Sequence, residues 1–150
     1  MLNKIIIEFL LLGMSEKIYL TKKGLKKIKQ EYQDLKKTRL VKAEEDFGLL
    51  ESKIAELEYV FRNAELIKLP PKERRDTVNL GAVVTLEVSN GKVKEFEIVG
   101  TMEANPNEGR ISSESPVGKA LLNRKVSDKV EINSPIRIIY KIKKIKYQLI

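Results

Sequence analysis

The sequence predicts an α+β protein with an antiparallel α-helical coiled-coil hairpin over residues 14–69. A linker at 70–76 and a small antiparallel β domain with one short helix, 77–150, complete it. Three observations predict this. No proline occurs from Thr21 to Leu69, and apolar residues there recur at threes and fours. Pro70-Pro71 then opens a polar stretch that ends at Asp76. Beyond it the apolar period shortens to two, the spacing of a half-buried strand.

The hairpin follows from two apolar series, Leu25, Ile28, Tyr32 and Leu35, then Leu50, Ile54, Leu57, Phe61 and Ala64. Each is the narrow stripe of a coiled-coil seam. The stripe fails between them, at Thr38, Arg39 and Lys42. Asp46 and Gly48 there favour a turn. The arms therefore fall near 21–42 and 48–68, with Thr21 as N-cap and Pro70-Pro71 as terminator. Gly24 weakens the first turn. A single helix of about 45 residues is the rival reading. Lys22, Lys23, Lys26, Lys27, Lys29, Lys36, Lys37, Arg39 and Lys42 make the first arm basic, against only Glu31 and Asp34. Glu51, Glu56, Glu58 and Glu65 make the second more acidic, which favours antiparallel pairing. Glu44, Glu45 and Asp46 fall at the tip.

Residues 1–13, MLNKIIIEFLLLG, read as an extension. The apolar run is too short for a bilayer, which needs roughly 20 residues, and no small-residue cleavage site follows it. Met14 begins MSEKIYLT, which reads as a natural start. An extra strand or helix and a targeting segment are the alternatives.

In the second half, Ala82–Val88 and Val93–Val99 are strand candidates around the turn signal Asn90-Gly91. Pro116–Asn123 reads as a short helix, and Arg137–Tyr147 as one or two final strands.

The 150 residues carry a net charge of +8, with 33% charged and 42% hydrophobic side chains. The basic surplus favours nucleic acid, an acidic protein surface or an anionic membrane as partner, or serves solubility alone. With no cysteine, disulfides and thiolate metal sites are excluded, which suits a reducing cytoplasm. With no histidine, imidazole bases, Ser-His-Asp triads and imidazole metal sites are excluded too. Catalysis would need carboxylates, lysines, tyrosines or a borrowed active site.

Ile111 to Leu122, ISSESPVGKALL, resembles the most characteristic stretch of the GreA/GreB family, approximately I-S-x-x-S-P-[IV]-[GA]-[KR]-A-L-[LI]. Glu97-Ile98-Val99-Gly100, Glu103-Ala104, Val126–Ile132, Tyr140-Lys141-Ile142 and Ile145–Tyr147 are similar to further family positions. So are Leu20-Thr21, Gly24-Leu25 and Ile28 in the first helix, and Gly48–Ile54 and Asn63–Ile67 in the second. The resemblance spans 19–147. It implies an FKBP-like C-terminal fold without isomerase activity, docked at the rim of the secondary channel of bacterial RNA polymerase while the coiled coil enters the channel. It places Ser112, Ser115, Pro116, Gly118 and Lys119 at or near the docking surface. Read as structure alone, Ile111, Val117, Leu121 and Leu122 are core, and Pro116 starts a helix.

The resemblance implies a cytoplasmic monomer away from membranes that touches nascent RNA or DNA only indirectly. It is no enzyme and at most stimulates the polymerase's own RNA cleavage. It binds no cofactor alone but shares Mg²⁺ with the polymerase active site. Two departures stand out. Asn123 and Ser127 replace usual glycines, and the family's acidic tip, G-D-L-x-E-N-x-x-Y, is absent. Aligning both arms leaves a gap of roughly twenty residues, or about 15 Å of reach at 1.5 Å per residue. Glu44, Glu45 and Asp46 are left as candidate Mg²⁺ ligands, as another electrostatic contact, or as plain turn residues. A non-cleaving channel regulator, a basic nucleic-acid-binding module and an FKBP-type isomerase are the competing functions. The last lacks an aromatic-lined pocket: the β-rich part has only Phe96, Tyr140 and Tyr147.

Overall fold

A computed structural model describes residues 17–41, 47–133 and 135–148. The extension 1–13 and the tip carboxylates Glu44, Glu45 and Asp46 lie outside the described residues. The chain divides into two compact units. One holds Lys22–Glu65 with the residues up to Ile18, and the other holds Tyr19–Thr21 with Leu66 onward. Residues 70–76 fall within the second unit.

The first unit is a helix pair, α1 (Lys22–Arg39) and α2 (Phe47–Asn63). Ile28, Ile54, Leu57 and Val60 are its buried apolar side chains. Each contributes about 1.5–3 kcal/mol when fully buried. The helices fold back on one another. Arg39 meets Glu51 at 2.6 Å, and the Tyr32 hydroxyl donates to Glu58 Oε1 at 2.9 Å. Both pairs are centred on residue 45, so the antiparallel reading holds and the single helix does not. Tyr32 also packs edge-on against Phe61, with ring centroids 5.3 Å apart. Lys53 lies 3.9 Å from Glu31 and 3.8 Å from Glu56. Ion pairs at a surface are each worth about 0.2–1 kcal/mol, so the seam decides the pairing and the charges only favour it.

The helices are shorter than the apolar pattern predicts. α2 stops at Asn63, well before Pro70, because Ala64–Leu66 forms a strand, β2, paired with Ile18–Leu20, β1. Strand pairing satisfies these backbone groups outside the helix ladder. Ile67 continues the switch by donating its backbone N–H to the Leu20 carbonyl at 2.8 Å. The Asn63 side chain closes α2 by donating to the Tyr59 carbonyl at 2.8 Å.

The second unit is built on a five-stranded sheet of order β5-β4-β3-β7-β6. Its strands are β3 (Ala82–Val88), β4 (Val93–Val99), β5 (Arg110–Ser112), β6 (Lys129–Asn133) and β7 (Arg137–Tyr147). The Asn90-Gly91 turn forms as the sequence predicts. Gly91 takes φ +80°, and Asn90 Oδ1 accepts the Lys92 N–H at 3.0 Å. One pairing departs from the antiparallel expectation. β5 runs parallel to β4, because residues 100–109 carry the chain back through two 3-10 turns. A bulge between Thr85 and Leu86 lets β7 supply one extra residue, Lys143, against β3.

The inner sheet face and α3 (Pro116–Leu121) enclose the core. Leu86, Ile98, Leu121 and Ile142 are almost fully buried there, with Val84, Val130, Ile132 and Tyr140 beside them. Ile111 is also buried, while Val117 and Leu122 pack partly buried against the cluster. The polar stretch 70–76 is held as well: Arg75 donates to the Pro70 carbonyl at 3.1 Å, and Asp76 meets Lys125 at 3.0 Å. The Tyr147 hydroxyl accepts the Asn79 N–H at 3.0 Å and donates to the Thr77 carbonyl, fastening the last strand to this entry segment.

Candidate functional site

Two regions carry the candidate residues, the hairpin tip and the β5–α3 corner. At the tip, the described flanks are apolar. Leu40 and Val41 are each 86% exposed, and Leu49 is 80% exposed. Arg39 closes the last described turn with its salt bridge to Glu51 and its guanidinium 5.5 Å from the Phe47 ring. Among the described residues no group of three carboxylates gathers where it could hold a metal ion.

The β5–α3 corner is fully described. Ser112 ends β5, and its hydroxyl lies 3.1 Å from Thr101 Oγ1 and accepts the Glu114 N–H at 3.1 Å. The Ser112 carbonyl accepts the Ser115 hydroxyl at 2.7 Å. Ser115 is the N-cap of α3, its Oγ accepting the Gly118 N–H at 3.0 Å. Pro116 occupies the first turn, where it has no N–H to lose. Gly118 is buried against β5: a Cβ there would stand 2.0 Å from the Ser112 carbonyl oxygen. Lys119 is exposed and lies 3.5 Å from Glu114.

The five residues singled out from the sequence are thus brought together in one corner, with different roles. Ser112, Ser115 and Gly118 build the corner. Pro116 and Lys119 are exposed, along with Glu114, which the sequence did not single out. Its exposed position beside the cap is the feature that marks it. A second missed residue is Glu103, whose carboxylate accepts the Thr21 N–H and hydroxyl, each at 2.7 Å. Only its place in the Glu103-Ala104 pair hinted at it. The turn after α3 keeps a glycine-like backbone without glycine: Asn123 has φ 64° and Ser127 φ 77°.

Three carboxyl groups of the second unit titrate below their ordinary range. The Lys125 ammonium, hydrogen-bonded to Asp76, lowers that carboxyl. Lys143 does the same for Glu87, and Arg137 for Glu131. All three are exposed ion pairs at the surface, outside the β5–α3 corner.

Residues 72–147 match the model of the transcription elongation factor GreA/GreB C-terminal region. GreA of Thermomicrobium roseum is 34% identical over 142 residues, covering 80% of this chain and 90% of that protein. GreA of Geobacillus kaustophilus is 37% identical over 145 residues, covering 81% and 91%. The crystal structure of GreA factor homolog 1 of Thermus thermophilus has 22% identity and a TM-score of 0.45, covering 87% of this chain and 99% of that one. In the first alignment, 80% of 150 residues, about 120, fill 142 positions, so about 22 positions lack a counterpart here. With the family region covering half of the sequence, and relatives above 30% identity along four-fifths of it, the chain belongs to the GreA/GreB family of transcription elongation factors.

Proposed function

We propose that the chain binds bacterial RNA polymerase as a monomer, through the β5–α3 corner, and directs a shortened hairpin toward the secondary channel. There it modulates elongation chiefly by occupancy, and it stimulates cleavage of backtracked RNA weakly or not at all. The single observation that carries this reading is reach. α1 and α2 have 18 and 17 residues, about 27 Å and 26 Å of helix. The unmatched positions, if divided between the two arms, correspond to roughly 15 Å of lost length. A Mg²⁺ ligand must lie within about 2.1 Å of the metal, and side-chain motion does not span such a deficit.

Glu44, Glu45 and Asp46 are hard oxygen donors of the type Mg²⁺ prefers, so the tip composition fits the ion. Mg²⁺ shared with the polymerase would supply charge stabilisation and an activated water for phosphodiester hydrolysis. At the docking corner, Glu114, Pro116 and Lys119 form the presented surface, and Ser112, Ser115 and Gly118 hold its shape. The nascent RNA is affected through the polymerase. No described helix is long and apolar enough to cross a membrane, and the reading needs none.

The test is RNA shortening in stalled elongation complexes, with the chain as it stands and as Glu44→Ala/Glu45→Ala/Asp46→Ala. We expect little shortening from either protein, and inhibition when either is added together with a full-length GreA. Strong cleavage that disappears in the triple variant would instead assign metal delivery to the tip. Absence of co-migration with polymerase would remove the reading altogether.

A further inference from the structure

The outer face of the five-stranded sheet carries most of its lysines on β7, with Glu87 of β3 and Glu131 of β6 on the same face. On β4 it carries Glu95 and Glu97, opposite Thr85 and Val83 of β3. On β7 it carries Lys141, Lys143, Lys144 and Lys146, the bulge placing two lysines in succession. Lys146 pairs with Glu95 at 3.2 Å and Lys143 with Glu87 at 2.9 Å. Lys129, Lys141 and Lys144 are exposed, and among the described residues none of them forms a salt bridge within 4 Å. Lys129 of β6 stands directly opposite Lys141 of β7, whose neighbour on the other side is Glu87 of β3, and Lys144 stands opposite Thr85.

Like charges directly opposite on a sheet destabilise it, so this arrangement has a cost. Charged residues on an edge strand guard it against aggregation, which accounts for Lys129. It does not account for Lys141 and Lys144, because β7 lies between β3 and β6. A ligand that neutralises Lys129 and Lys141 would remove the repulsion between them, and Lys144 adds a third exposed charge on the same strand. The face offers no aromatic platform for unstacked bases: Tyr140 is buried in the core, and the Tyr147 hydroxyl is bound to Asn79 and Thr77. Single-strand recognition relies on such platforms. A backbone contact does not.

We propose that the outer face of β7 and β6, centred on Lys129, Lys141 and Lys144, binds the phosphate backbone of a nucleic-acid duplex without reading its sequence. This surface lies apart from the β5–α3 corner in the sequence and is independent of the polymerase reading.

The test is fluorescence anisotropy of a short duplex DNA of random sequence, titrated with the full chain over a series of salt concentrations. Lys129→Gln/Lys141→Gln/Lys144→Gln is expected to weaken binding at least about tenfold at low salt. The slope of log affinity against log salt should fall by about 2–3, near 0.9 for each phosphate no longer neutralised. Lys129→Arg/Lys141→Arg/Lys144→Arg keeps the charge and is expected to bind as the parent does, which separates charge from fold. The proposal is overturned if the parent does not bind the duplex or if the glutamine variant binds it with unchanged affinity and slope. It is also overturned if that variant loses affinity only for an acidic polypeptide such as polyglutamate.

Discussion

Gly118 sits in a helix against the carbonyl of the strand that precedes it, and the packing there leaves no room for a methyl group. With backbone atoms of Ser112 and Ser113 within 2.9 Å of a Cβ, no side chain can rotate away to make space. Gly118→Ala is expected to cost about 1–3 kcal/mol, read as a lower denaturant midpoint, and, if the corner docks as proposed, to weaken polymerase binding as the corner shifts. Ser127 presents the opposite case. A serine held at φ 77° bears left-handed strain of about 1–2 kcal/mol, partly offset in glycine by its greater loss of freedom on folding. Ser127→Gly is therefore expected to stabilise by about 0.5–1 kcal/mol in thermal melts. Asn123→Gly should do less, since asparagine tolerates this conformation better. At this scale the sequence was legible as a motif but not as a division of labour. Ser112 and Ser115 fit a docking surface and a helix cap equally well, since both uses want a small hydroxyl. The hydrogen bonds show the capping.

Among the elements, the strands around Asn90-Gly91 and the short helix after Ser115 were readable because turn and cap chemistry mark their ends. The end of α2 was not. Ala64 to Leu69 continues a helical apolar rhythm and has no breaker before Pro70, so local pattern favours helix there. The strand at 18–20 overrides it through pairing that no window of a dozen residues contains. β5 was missed for a related reason: three residues in parallel pairing leave too short a signal. The helix pair itself rests on few buried side chains, of which Leu57 is 2% exposed. Leu57→Ala is expected to lose about 2–5 kcal/mol and to show in far-UV circular dichroism as an early loss of helical signal. Glu51→Gln, by contrast, removes the charge of one half-buried partner of Arg39 and should cost about 1 kcal/mol.

For the molecule as a whole, the pairing of β1 with β2 brings together the two points where the hairpin leaves and rejoins the chain. Between Ile18 and Leu66, residues 19–21 belong to the second unit and Lys22–Glu65 to the first, so the hairpin is an excursion of about 44 residues in the sequence of its host. Closing a longer excursion is cheap. Adding about 22 residues raises the closure cost by about 0.4 kcal/mol, because the cost grows only with the logarithm of length. Natural variation can therefore lengthen or trim the arm as a cassette at little cost in loop closure. If the chain grips polymerase as proposed, a change in that one dimension would alter what the arm does without a new way to hold on.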